Sequence, residues 1–270
     1  MGTTVKTSLG AISQGIGIVR KIVPSFPAPT QYVGGSFSGF DPKSFGTLSL
    51  WLDAADSNTI TVATGASQWN DKSGNANNAT QGTGSAQPTI QSKALNNLNT
   101  LLFTRAGSQF MQLGSAITGT TFTVFAVAKA ASASSNALET LGSTHVADAS
   151  GAVLEWNANS TTVTGVYARS TAGYWGDDTG NAADPHDTTK YHRLHCLAAN
   201  DNTTTAFFDS VLQSTGSWHA SVITPTWQWI GRSCSFYSDA YVAEIMVYSG
   251  LLAANQTALI NDYFTRKWGV

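Results

Sequence analysis

Apolar residues along this chain fall mainly in short runs with a period of two. Leu48, Leu50 and Leu52 alternate with Ser49, Trp51 and Asp53, which marks a first strand with one face turned to a core. Residues 101–103 and 110–113 read as two brief strands around Gly107. Further strands are expected at 153–156, 162–169, 192–198, 204–208, 227–230 and 241–248, with loop signals at 70–74 and 82–85. Residues 122–128 are apolar on both faces, as suits a central strand buried between layers. Turn chemistry every ten or so residues excludes a βαβ pattern. The expectation is an all-β, two-sheet antiparallel sandwich over residues 47–270.

A helical period appears at the C-terminus, where Leu259, Ile260, Tyr263, Phe264 and Trp268 fall on one face. A short helix should lay that stripe on the outside of the sandwich. Residues 1–46 differ from the rest. Leu9, Ile12, Ile16 and Val19 form a short apolar stripe, Pro24, Pro27 and Pro29 stop a helix, and Gly34, Gly35 and Gly39 with Phe37 and Phe40 continue as an irregular strap. An extended arm of this kind cannot bury its own apolar groups, so it should dock on its own sandwich or on another subunit. A homo-oligomer, or a place in a larger assembly, is the corresponding expectation.

Composition narrows the partners. Charged residues are 11% of the 270, hydrophobic residues 42%, and the net charge is −2. The 14 basic residues are spread along the chain and form no continuous footprint for a phosphate backbone, so nucleic acid is not expected as a partner. No run reaches the roughly 18 apolar residues of a membrane helix. Arg20 and Lys21 follow the apolar stretch 12–23 instead of preceding it, so no secretory signal is read. Cys196 and Cys234 are too few for a disulfide framework; two separate thiols are the simpler reading, with a single bridge the alternative.

Four stretches resemble a known family. They are Leu50-Trp51-Leu52-Asp53-Ala54-Ala55-Asp56, Gln68-Trp69-Asn70-Asp71-Lys72-Ser73-Gly74, Phe122-Thr123-Val124-Phe125-Ala126-Val127, and Ala243-Glu244-Ile245-Met246-Val247-Tyr248 leading to Lys267-Trp268-Gly269. In this order they resemble the concanavalin A-like or laminin-G-like jelly rolls of tailed-phage virion proteins and bacterial surface proteins. The resemblance implies a jelly-roll sandwich with an N-terminal extended arm and a short C-terminal helix. Two positions depart from the family's pattern. Ser210 follows Asp209 where Gly is usual at a hairpin tip, and Ala253 stands where a Ser or Thr N-cap is usual. Trp51, Trp69 and Trp268 suit the closing of sandwich ends, and Asp71, Ser73 and Gly74 are turn formers, so the block 69–74 reads as structural.

Catalytic chemistry is hard to find. Glycoside hydrolysis needs two carboxyl groups across a cleft. The chain has three glutamates, Glu139, Glu155 and Glu244, and none has a second carboxylate two or four residues away. His192 and His195 lie three apart on a strand, hence on opposite faces. No phosphate-binding loop is present, and no cofactor is implied. An acidic cluster of Asp177, Asp178, Asp184 and Asp187, with His186, sits in a Gly/Asn-rich loop. Oxygen-rich loops hold Ca²⁺, and laminin-G-like sandwiches often bind it at a rim, so a Ca²⁺ site there stands beside the plainer reading of a solvated loop. Tyr174 and Trp175, next to that loop, are the candidate sugar-stacking residues, while Trp218, Trp227 and Trp229 read as buried or interfacial.

Two functions follow. The first is a non-catalytic virion structural protein, such as a capsid decoration, head-fibre or tail/baseplate component, assembled in a host cytoplasm and docked through residues 1–46. The alternative is a carbohydrate-binding module or adhesin on a bacterial cell surface, Ca²⁺-assisted, reading glycans through Tyr174, Trp175 and the adjoining aspartates. Fold analogy alone establishes neither.

Overall fold

The computed structural model describes residues 40–132, 138–142, 154–160, 163–167, 188–198, 203–217, 226–233 and 236–270. Tyr174, Trp175, Asp177, Asp178, Asp184, Asp187 and Cys234 lie outside these residues. The strands, in chain order, are β1 (Leu48–Asp53), β2 (Ile60–Val62), β3 (Ala66–Trp69), β4 (Ala79–Thr80), β5 (Thr89–Leu95), β6 (Leu98–Phe103), β7 (Met111–Thr118), β8 (Phe122–Ala130) and β9 (Leu138–Gly142). They continue with β10 (Leu154–Ser160), β11 (Val163–Tyr167), β12 (His192–Ala198), β13 (Thr203–Phe208), β14 (Val211–Ser217), β15 (Thr226–Ile230), β16 (Arg232–Ser233), β17 (Phe236–Tyr237) and β18 (Ala240–Ser249), before helix α1 (Ala254–Trp268). This helix is not long and apolar enough to cross a membrane.

The first sheet runs β14-β13-β12-β8-β18-β6-β5, with β1 also paired to β18. The second runs β11-β10-β9-β15-β7-β4-β3-β2. Every pairing within the two sheets is antiparallel, which gives the two-sheet jelly-roll sandwich expected from the alternation. Between the sheets Leu50, Leu52, Trp69, Phe103, Met111, Phe122, Val124, Trp227, Ile245 and Val247 form the main core.

The outer face of the first sheet is also buried. Trp51, Phe125, Val127, Met246 and Tyr248 meet Ile260, Tyr263, Phe264 and Trp268 of α1 there. A strand covered on both faces has no polar side, which explains the apolar run of β8 between β12 and β18. Leu259 departs from the expected stripe: it is 42% exposed, at the margin of the buried face. Leu48 departs too. A register shift between Leu48 and Leu50 moves Leu48 to the helix side, while Leu50 and Leu52 face the inter-sheet core.

Residues 40–46, the described part of the strap, pack on the helix side as well. Phe40 lies 5.5 Å from the Tyr263 ring, and Tyr248 Oη donates to the Pro42 carbonyl at 3.1 Å. At the head of α1, Ala253 offers no side-chain acceptor, and half of a capping box survives because Gln256 Oε1 accepts the Ala253 N–H at 2.9 Å. The β13–β14 hairpin turns on two residues, Asp209 (φ 50°) and Ser210 (φ 68°), the type I′ geometry that favours glycine. Asp209 has a second role there: its Oδ1 accepts the Arg193 N–H at 2.9 Å, and its Oδ2 lies 2.8 Å from His192 Nδ1.

Candidate ligand-binding rim

Carboxylates are the first place to look for chemistry, and the fold brings two together that lie far apart in sequence. Glu244 stands opposite Asp53 across β18 and β1, aimed at the helix side by a bulge that sets Ala243 and Glu244 against Val127 alone. Both are wholly buried. Glu244 Oε1 accepts from Trp51 Nε1 at 2.6 Å and Tyr263 Oη at 2.8 Å; Oε2 accepts from Lys267 Nζ at 2.7 Å and Trp268 Nε1 at 2.6 Å. Lys267 Nζ also lies 2.6 Å from Asp53 Oδ1, and Lys72 Nζ 2.8 Å from Asp53 Oδ2 and 3.0 Å from Asp56.

Burial alone would raise the Asp53 carboxyl, but the Lys267 and Lys72 ammoniums outweigh it and hold its pKa below the ordinary value. Burial pushes Glu244 up, opposed by Lys267 and reinforced by the Asp53 charge. With four donors on one carboxylate and no solvent access, this cluster is a closed structural lock that no saccharide reaches. The block 69–74 serves it. Asp71 Oδ1 accepts the N–H groups of Trp51 and Ser73, Asp71 Oδ2 accepts that of Asn77, and the resulting loop places Lys72 against Asp53.

The two histidines of β12 face opposite sides, as their spacing requires. His192 sits 4.3 Å from Phe208, which belongs to the inter-sheet core. His195 stacks between Phe125 at 4.3 Å and Phe207 at 4.8 Å. Burial lowers the His195 pKa to about 3, so the ring is neutral. Cys196, next along, is a free buried thiol pushed up to about 12 by burial. Among the described residues no group of three or more His, Cys, Asp or Glu gathers to hold a metal ion.

A different arrangement appears at one end of the sandwich, where β8 and β15 finish and β12, β18 and β7 begin. The sheets are joined there at Gly231 (φ 76°), whose carbonyl accepts the Ser238 N–H at 2.9 Å. A Cβ at Gly231 would come within 2.4 Å of the Phe103 ring, so glycine is required by sterics as well as by φ. The turn that follows pairs Arg232 with Tyr237 across β16 and β17. This sets the Arg232 guanidinium 4.1 Å from the Trp229 ring and 5.0 Å from the rings of both Phe110 and Tyr237. Phe110 lies on the side of β7 away from Met111 and Leu113, so the cluster stands outside the inter-sheet core.

Phe110, Arg232 and Tyr237 are half-buried, and Trp229 is nearly covered beneath them, its Nε1 without an acceptor among the described residues. Around the same end Arg105 donates through Nε to the Tyr237 carbonyl at 3.1 Å and stands 4.0 Å from Asp239. Lys129 Nζ lies 4.4 Å from the Tyr241 ring and 5.0 Å from that of Tyr191. Burial raises the Tyr191 hydroxyl to about 12. Arg105, Lys129, Lys190 and Arg232 thus stand at this end with Asp209 and Asp239 among the described residues, a rim of charged and aromatic side chains.

Sequence reading placed Trp229 as buried or interfacial but did not find Arg232, Phe110 or Tyr237 as its partners. Alternation alone would put Trp227 and Trp229, two residues apart, on one face; a register shift between them in the β15–β7 pairing gives them different settings. Trp227 is in the inter-sheet core, and Trp229 lies under Arg232.

No protein-family model matches this sequence, and no curated protein matches it. Solved structures do. Domain 4 of AbnA, a GH43 extracellular arabinanase from Geobacillus stearothermophilus, in complex with arabinotriose, matches with a TM-score of 0.56 at 13% identity, over 80% of this chain and 98% of that one. The botulinum neurotoxin serotype D ligand binding domain in complex with N-acetylneuraminic acid matches with a TM-score of 0.56 at 11% identity, over 83% of this chain and 53% of that one. The binding domain of Paraclostridial Mosquitocidal Protein 1 gives 0.54 at 9% identity, over 83% and 53%. The chain spans about half of each toxin domain. At such identities the likeness shows the fold alone, a β-sandwich used in binding domains of enzymes and toxins.

Proposed function

We propose that this chain is a non-catalytic glycan-binding module. Of the two functions left open by the sequence, the virion component and the carbohydrate binder, the structural likenesses favour the second. Two of the matched sandwiches are described in complex with saccharides, arabinotriose and N-acetylneuraminic acid. The observation that carries the reading is the pair of half-buried rings, Phe110 and Tyr237, over the nearly covered Trp229 at the end of the sandwich. Sugars lay the apolar face of the ring on aromatic side chains, and such sites combine aromatic area with a few placed polar groups. The Asp53–Glu244 carboxylate pair is sealed in the lock and out of reach of a ligand.

The test is a glycan array probed with the full chain, followed by calorimetry on the best ligand. Tyr237→Ala should weaken binding at least tenfold with an unchanged melting temperature. If Tyr237→Ala binds normally and Trp175→Ala does not, the ligand belongs to the loop marked by Tyr174 and Trp175. Binding to no glycan at all would sink the reading.

A further inference from the structure

We infer that the ligand is a neutral oligosaccharide laid along the outer face of the second sheet, read by a row of side chains that leaves the rim and crosses five strands; this deepens the glycan-binding reading and rests on it. Trp229 of β15 stands opposite Gln112 of β7, Gln112 opposite Thr80 of β4, Thr80 opposite Gln68 of β3, and Gln68 opposite Thr61 of β2. Residues directly opposed across strands share a face of the sheet. That face is the outer one, because the chain neighbours Ile230, Met111, Leu113, Ala79 and Trp69 lie in the inter-sheet core and Ile60 packs against it. Four steps from strand to strand make a row of about 19 Å, the reach of a short oligosaccharide and not of a single sugar. Phe110, two residues before Gln112 and on the same side of the chain, joins the row to the rim.

The chemistry of the row sets the class of ligand. β15, β7, β4, β3 and β2 hold no Asp, Glu, Lys, Arg or His at any position. Within this sheet charge enters beyond β15, where the register sets Glu139 of β9 opposite Glu155 of β10. Thr61, Thr80 and Gln112 are exposed, and their side chains have no hydrogen-bond partner among the described residues. Gln68 Nε2 donates to Asn70 Oδ1 at 2.6 Å, which fixes its amide. A Gln amide and a Thr hydroxyl each donate and accept, as the hydroxyls of a neutral sugar do. A carboxylate or sulfate only accepts, and on a row without cations it would lose hydration and meet no opposite charge. A protein partner would require an apolar centre, whereas Gly114, Ser115 and Ala116, exposed beside the row, are small.

The experiment titrates the full chain by calorimetry with neutral oligosaccharides of xylan, β-glucan, galactan and the array's best neutral glycan, from disaccharide to hexasaccharide, and with oligogalacturonates of the same lengths. One neutral series should gain about tenfold or more in affinity from its disaccharide to its longer members, the worth of one or two added hydrogen bonds, and the oligogalacturonates should not. Salt should leave that affinity unchanged. Gln112→Ala and Thr80→Ala, both at exposed positions, should each remove most of the gain with length while sparing the disaccharide and the melting temperature. Tyr237→Ala at the rim should weaken every length. If the array shows acidic glycans alone, if affinity does not rise with length, or if the Gln112 and Thr80 variants keep the gain, the inference fails while the glycan-binding reading stands. If no series binds and the array is also blank, both fail. The length and salt series decide the question on the unaltered chain even if a variant does not fold.

Discussion

Asp53 and Glu244 face one another across β1 and β18, and the single ammonium of Lys267 bridges them from the last turn of α1, 2.6 Å from one and 2.7 Å from the other. That contact ties the end of the chain to its first sandwich strand through the middle of a buried sheet face. Removing one partner leaves charge uncompensated in a place water does not reach. Lys267→Met should therefore destabilise the fold by roughly 3–5 kcal/mol at pH 7, read by urea unfolding. In that variant the carboxyls gain a folded-state pKa above the unfolded one, so part of the loss should return as pH falls toward 4. A variant as stable as the parent would show that the lock contributes nothing net.

His195 gives a pH dependence of the opposite sense. Its pKa is lowered from 6.5 to about 3 by burial, so between these values the unfolded chain binds a proton that the folded chain does not. Its stabilising contribution is complete above pH 6.5 and is lost as pH falls toward 3, by about 1.4 kcal/mol per pH unit at the steepest. Melting curves between pH 7 and pH 4.5 should show this slope, and His195→Leu should flatten it. An unchanged slope in the variant would place the titration elsewhere.

Ser210 occupies a left-handed position at φ 68° in a turn where its neighbour Asp209 is left-handed too. A side chain there costs roughly 1–2 kcal/mol. Ser210→Gly should raise stability by about 1 kcal/mol, after the extra backbone entropy that glycine gives the unfolded chain. Thermal unfolding measures it, and a fall in melting temperature would contradict the turn geometry.

Ala253 begins α1 without a side-chain acceptor, although its backbone already has the extended φ and ψ of an N-cap, −65° and 156°. Ala253→Ser supplies the missing acceptor and completes the capping box with Gln256. The expected gain is about 1 kcal/mol in chemical unfolding. No gain would mean that the first turn of α1 frays independently of the global transition.

Several elements were legible from local pattern alone. A period of two marks β12 at its observed bounds and comes within two residues of β1, β13, β15 and β18, because each strand presents one side to a continuous core. The helix was legible for the same reason at a different period. The β5–β6 hairpin was missed although Asn96 and Asn97, at φ 47° and 62°, are residues that tolerate a left-handed turn. The polar residues of β5 hid it: an edge strand buries little, so its alternation is faint.

Sequence by itself determined the fold class of this protein, the apolar central strand, the C-terminal helix and the scarcity of catalytic carboxylates along any one strand. Those are properties of residues near one another in the chain, where backbone geometry alone sets which side chains share a face. Tertiary structure decided the rest. Only strand pairing sets Glu244 against Asp53, only two bulges decide that Glu244 and Leu48 turn toward the helix, and only the pairing of β15 with β7 and of β16 with β17 gathers Phe110, Trp229, Arg232 and Tyr237 at one end. Both the lock and the rim join groups separated by roughly a hundred residues or more, and no periodicity within a strand or a helix spans that distance.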